Sequence, residues 1–108
     1  MTSPGHREVN PAELAAMLAD GKALLIDVRE PNEFAAERIA GAVNVPLSGF
    51  DPAGLPDAGG KPVILQCAGG KRSGMALDKC SVAQASIDTH LAGGLAAWKA
   101  AGLPVVKG

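Results

Sequence analysis

An apolar run, Pro62-Val63-Ile64-Leu65-Gln66, leads into Cys67-Ala68-Gly69-Gly70-Lys71-Arg72-Ser73, and a helical pattern starts near Ser73. A strand without polar alternation is covered on both faces, as in a parallel sheet flanked by helices. The chain must then pass from a buried strand through two glycines into a helix. That path sets a thiol at the strand's carboxyl end, above a tight loop. Backbone N–H groups of such a loop converge on one point, and the helix dipole adds partial positive charge there. Both favour a thiolate over a thiol and accommodate a small anion beside it. Cys67 has the setting of a nucleophile.

The rest of the chain repeats the same alternation of strand and helix. Asn10-Pro11-Ala12-Glu13 is a helix start, with Asn10 as cap, Pro11 at the first position and Glu13 as capping-box acid. Leu14, Met17 and Leu18 form its apolar stripe and Gly21 its stop. Ala23 to Val28 is a second apolar strand, Pro31 to Arg38 a short helix, and Ala42 to Val45 a short strand ended by Pro46. Ser48 to Gly60 holds four glycines and two prolines in thirteen residues, a loop with room for one helical turn. Ser73 to Gln84 is helical with Ala76, Cys80 and Ala83 at core spacing. Ser86 to Leu91 returns as a strand, and Gly94 to Ala101 is a last helix turning Leu95 and Trp98 inward. The expected fold is α/β in three layers, with a mostly parallel central sheet of about five strands. Ligands of such sheets sit beyond the strands' carboxyl ends, where Cys67 and Arg29 both lie.

Length and composition narrow the function classes. The 108 residues are one domain's worth, residues 1–108, with about the first seven, His6 included, read as a flexible tail. Ten cations against eleven anions are scattered along the chain, and one Trp, two Phe and no Tyr leave few rings for base stacking. Nucleic acid is thus not an expected partner. Met1 to Glu8 has no apolar signal core and no run reaches the length of a membrane span, so a cytoplasmic protein with reduced thiols is expected. Cys80 falls about two helical turns beyond Ser73, roughly 10 Å along the axis, too far to bridge to Cys67. Cys67, Cys80 and His90 lack zinc spacing, and no metal or cofactor is called for. His90, on a strand, reads as packing or an edge residue, and Cys80 as core.

Four segments, in order, resemble the rhodanese homology domain of single-domain sulfurtransferases. Leu25-Ile26-Asp27-Val28-Arg29-Glu30-Pro31-Asn32-Glu33-Phe34 is similar to its first signature. Arg38-Ile39-Ala40-Gly41-Ala42-Val43-Asn44-Val45-Pro46 is similar to its second, with Arg38 where histidine is usual. Cys67 to Arg72 matches the C-x-x-G-x-R active-site pattern, and Leu91-Ala92-Gly93-Gly94 with Trp98 resembles the closing segment, Ala92 standing where an acid is frequent. The resemblance runs from about Val9 to Val105. Gln84-Ala85-Ser86 fills the place where the family's helix usually ends in glycine.

The resemblance implies transfer of a sulfane sulfur in two half-reactions, through a persulfide on Cys67. The donor would be a small anion such as thiosulfate, or a persulfide; the acceptor would be cyanide, a thiol or a protein. In this reading Ala68, Gly69, Gly70 and Ser73 turn amides toward the sulfur. Arg72 clamps donor oxygens, Lys71 draws anions in, and the Ser73 hydroxyl faces the sulfur or caps its helix. Asp27, Arg29 and Glu33 stand behind, with Arg29 paired to Glu33 or Asp27 and free either to steady the site or to touch substrate. Two other classes compete. A cysteine phosphatase needs C-x5-R, and Arg72 comes one residue too soon for it. A docking module or dedicated sulfur relay would use the same fold, and the intact loop argues against docking alone.

Overall fold

The computed structural model describes residues 6–108. Five parallel strands form the central sheet in the order β1-β6-β5-β2-β4. These are β1 (Arg7–Val9), β2 (Leu24–Asp27), β4 (Val43–Asn44), β5 (Val63–Gln66) and β6 (Thr89–Leu91). Two short strands, β3 (Glu37–Arg38) and β7 (Val106–Lys107), pair antiparallel apart from it. Four helices connect the strands: α1 (Pro11–Ala19), α2 (Pro31–Ala36), α3 (Lys71–Val82) and α4 (Gly94–Ala100). The architecture is the expected α/β sheet, mostly parallel and of five strands.

Side-chain alternation along the strands divides the core in two. Ile26, Val28, Leu65 and Cys67 face one way, onto Ala76, Leu77 and Cys80 of α3 and onto Phe50. Leu25, Ile64 and Leu91 face the other way, onto Leu14 of α1, Leu95 and Trp98 of α4, and Ile39. Helices thus cover both faces, which is why the strand sequences lack polar alternation.

Several boundaries depart from the sequence reading. Arg7 belongs to no tail, because β1 pairs in parallel with β6 through Arg7↔Thr89, Glu8↔His90 and Val9↔Leu91. Three polar-flanked residues carry little periodicity, and the partner that makes them a strand lies about eighty positions away. His6 is also held, its Nε2 2.9 Å from Asp78 Oδ1; the rest of the expected tail, residues 1–5, lies outside the described residues. The helix expected to reach Arg38 stops at Ala36, since Glu37 and Arg38 are taken up by Lys107 and Val106. Of the expected strand from Ser86, only Thr89–Leu91 pairs. The glycine-rich loop makes two 3-10 turns, Leu47–Gly49 and Pro52–Gly54, instead of one helical turn.

The helix after Cys67 begins at Lys71, two residues before the expected start, and ends at Val82. Lys71 and Arg72 add nothing to the apolar stripe, so periodicity alone starts it late. Gly70, at φ 101°, makes the turn into it. At the far end Gln84 adopts φ 58°, and the Ala85 amide donates to the Cys80 carbonyl at 2.8 Å. A left-handed residue closes the helix there, although the chain supplies no glycine for it.

Candidate active site

Cys67 follows the last residue of β5 and Gly70 precedes the first residue of α3, so the loop between them is only four residues long. Its shape is held from outside. The amides of Leu95 and Ala96, in the first turn of α4, donate to the carbonyls of Cys67 (2.8 Å) and Ala68 (3.0 Å). Gly94 makes this approach possible: at φ 61° it lies so close that an added Cβ would sit 2.7 Å from the Ala68 carbonyl carbon. Gln66 Nε2 donates a further bond to the Cys67 carbonyl at 2.7 Å. With its carbonyls engaged outward, the loop turns amide hydrogens inward.

The Gly70 amide donates to Cys67 Sγ at 3.0 Å, and Ser73 Oγ lies 3.6 Å from the sulfur. Burial pushes the Cys67 thiol up. It is outweighed by the Ser73 hydroxyl together with the amides of Ser73, Gly70 and Gly69, and the net effect is a pKa below that of an ordinary cysteine. The second cysteine takes the opposite course. Cys80, buried in α3 without such donors, is pushed up by desolvation alone. One chain thus holds an acidified thiol and an inert one, both free. Cys67 is also nearly enclosed, only 1% exposed, with its stem against Ile26, Val28 and Leu65 and its sulfur under the loop.

The two loop glycines differ. Gly70 needs its left-handed backbone, whereas Gly69 has an ordinary φ and open space at its Cβ position. Lys71 is exposed and makes no ion pair among the described residues. Arg72 does not reach out as a free clamp. Its Nη1 and Nη2 donate to Glu33 Oε1 (2.6 Å) and Oε2 (2.9 Å), a bidentate pair between α3 and α2. The pair holds the Glu33 carboxyl at about 2, through the Arg72 hydrogen bonds first, working against desolvation, with the Glu30 amide adding to them.

Arg29 pairs with Asp27 and not with the Glu33 carboxylate. Its Nε and Nη2 donate to the Asp27 carboxylate at 2.8–3.1 Å, and Nη2 also donates to the Glu37 carbonyl at 2.6 Å. Asp27 further accepts the Arg29 amide at 2.9 Å. At 3% exposure Arg29 is a strut that pins the β2–α2 turn, out of reach of a solute. Asn44 closes the same turn by donating to the carbonyls of Asp27 and Arg29. The turn in its own right places Glu33 opposite Arg72.

His90, read from the sequence as packing or an edge residue, is buried directly behind Ser73. Its Nδ1 is 2.8 Å from Ser73 Oγ, its Nε2 is 3.4 Å from Glu8 Oε2, and the residue is 6% exposed. The available signal was a polar ring in a strand one place from the sheet's edge. Its partner could not be read without the Leu65↔His90 register, which turns it to the Cys67 face.

The Rhodanese-like domain family model matches residues 10–101. The chain belongs to the rhodanese-like family. Among solved structures, a rhodanese-related protein from Thermoplasma volcanium superposes with a TM-score of 0.78 at 30% identity, covering 94% of this chain and 98% of that one. An uncharacterized protein of Synechocystis is 44% identical over 99 residues, 92% of this chain and 55% of its own length, so the chain spans about half of that relative. The human thiosulfate:glutathione sulfurtransferase is 45% identical over 49 residues, 45% of this chain and 43% of that protein. Among the described residues no helix is long and apolar enough to cross a membrane.

Proposed function

We propose that this protein moves a sulfane sulfur from thiosulfate or a persulfide donor to a thiophilic acceptor, through a persulfide on Cys67. The observation that carries the reading is the Gly70 amide donated to an acidified Cys67 sulfur, at the start of a twelve-residue helix. In the first half-reaction the Cys67 thiolate attacks the outer sulfur of thiosulfate. The bond between the two donor sulfurs breaks, and its electron pair leaves on sulfite. The resulting persulfide anion keeps the negative charge that the loop amides already solvate, so little reorganisation is needed. In the second, cyanide, a thiol or a protein thiolate attacks the outer sulfur, and the Cys67 thiolate departs. Each half restores the other's starting state, the kinetic pattern of covalent catalysis. A reducing, cytoplasmic setting suits a nucleophile that must stay free.

Lys71 is the exposed cation beside the loop and supplies the long-range attraction for an anionic donor. Arg72, neutralised by Glu33, shapes the rim with its hydrogen-bonded plane. The enclosure of Cys67 favours a donor that presents a single terminal sulfur atom over a bulky tetrahedral ester. Intact mass after thiosulfate treatment tests the reading. The protein gains one sulfur atom that cyanide removes, Cys67→Ala gains none, and Cys80→Ser behaves as wild type. Sulfur that follows Cys80, or Cys67-dependent hydrolysis of phosphate esters in its place, overturns it.

A further inference from the structure

Behind the reactive sulfur runs a chain of polar groups that sulfur transfer as described does not use: Cys67 Sγ, Ser73 Oγ, His90 Nδ1, His90 Nε2 and Glu8 Oε2. The successive contacts are 3.6, 2.8 and 3.4 Å, the imidazole bridging the last two. Ser73 is fully buried and has one hydroxyl proton, with three neighbours able to accept it: the sulfur, His90 Nδ1 and the Gly70 carbonyl at 3.2 Å. A hydroxyl donates once, so what His90 presents decides where that proton goes.

The charged surroundings of His90 fix its options. Glu8 of β1 faces Nε2. The His6 ring stands edge-on at 5.8 Å, itself held by Asp78 of α3. Leu65 is its register partner on β5 and brings no titratable group. With the Glu8 carboxylate beside Nε2, a neutral imidazole keeps its proton there and leaves Nδ1 bare. Bare Nδ1 then takes the Ser73 proton. The protonated ring carries hydrogen on both nitrogens, so Nδ1–H donates to Ser73 Oγ and releases the hydroxyl proton. The Gly70 carbonyl already accepts the Gly74 amide, and an ionised sulfur is the stronger acceptor of what remains.

We propose that His90 is a positioning residue for Cys67: protonated, it aims the Ser73 hydroxyl at the sulfur, and neutral, it turns that donor away. Thiolate and imidazolium therefore stabilise each other, and by linkage each raises the population of the other. Burial holds the His90 pKa down, partly offset by Glu8, and His6 pushes it in the same direction as burial. The transition thus falls below the ordinary histidine range.

The inference requires a reactive Cys67 but no sulfur donor, so it is read by iodoacetamide alkylation and stands or falls apart from the transferase reading. Below the thiol pKa an isolated cysteine loses about tenfold in rate per pH unit. Wild type should fall less steeply as His90 protonates, whereas Ser73→Ala keeps the full slope. His90→Asn offers a permanent donor near the Nδ1 position. It should lose the inflection and, above the histidine range, react about threefold or more faster than wild type, as ~0.5 unit of thiol pKa gives. His90→Leu, which takes away the bare Nδ1 as a competing acceptor, should also lose the inflection and show that gain. Profiles of one shape in all four proteins, or a merely uniform loss of rate in the variants, overturn the proposal. A measurement on unaltered protein guards against misfolded variants: nitrogen chemical shifts of the His90 ring should show the proton on Nε2 when it is neutral. A neutral ring carrying it on Nδ1 overturns the proposal.

Discussion

Arg72 and Glu33 stand at the rim of the sulfur site, each about a third exposed, and share two hydrogen bonds. Neutralising a guanidinium beside an anion site weakens the pull on the donor, yet the pair also fixes the plane that the donor must pass. Glu33→Gln leaves Arg72 charged and removes the opposing carboxylate. The KM for thiosulfate should fall about threefold at low ionic strength, on the order of 0.7 kcal/mol, the scale of an exposed ion pair. Steady-state kinetics should show the gain shrinking toward nothing at ~1 M salt, where the Debye length is ~3 Å. A KM unmoved at low salt would mean that Arg72 exerts no field on the donor. Cys67 was legible as the candidate thiol because glycines and cations follow it in the chain, and of the two cysteines it is the one whose pKa is lowered. The choice of Asp27 for Arg29 and of Glu33 for Arg72 was not, since two acids and two arginines can pair either way until the β2–α2 turn is folded.

Among the elements, α3 carries the site at one end and a strained stop at the other. Gln84 sits at φ 58°, a conformation that costs a residue with a Cβ about 1–2 kcal/mol and glycine almost nothing. Gln84→Gly should stabilise the protein by about 1 kcal/mol, less whatever the unfolded chain gains in freedom, measured as a higher urea midpoint at unchanged m-value. Sulfur transfer should not change, because the substitution lies more than two helical turns from Ser73. No gain in midpoint would mean that the closing turn relaxes in solution. The sequence showed α3 clearly through Ala76 and Cys80. Its first turn was hidden because Lys71 and Arg72 serve the loop and not the core.

For the whole molecule, acid stability turns on charges that join elements. With its carboxyl held at about 2 against an ordinary 4.5, Glu33 binds its proton more weakly in the folded chain than in the unfolded one. Its contribution is complete above the unfolded value and is lost as pH falls from about 4.5 to about 2. Both partners are about a third exposed, so screening limits that contribution to about 1 kcal/mol or less. Thermal melts should show wild type above Glu33→Gln at neutral pH, with the gap closing across that window. A constant gap would assign the difference to packing. The sequence by itself determined the layered α/β fold and the place of the candidate thiol at a strand's end, because strand periodicity, helix caps and the cysteine loop are local and each is written within a few residues. Only the tertiary structure decided that Arg7 to Val9 is a strand, that Gly94 and α4 brace the loop, and that His90 stands behind Ser73. Those depend on parallel register between segments far apart in the chain, and register follows from how the whole core packs.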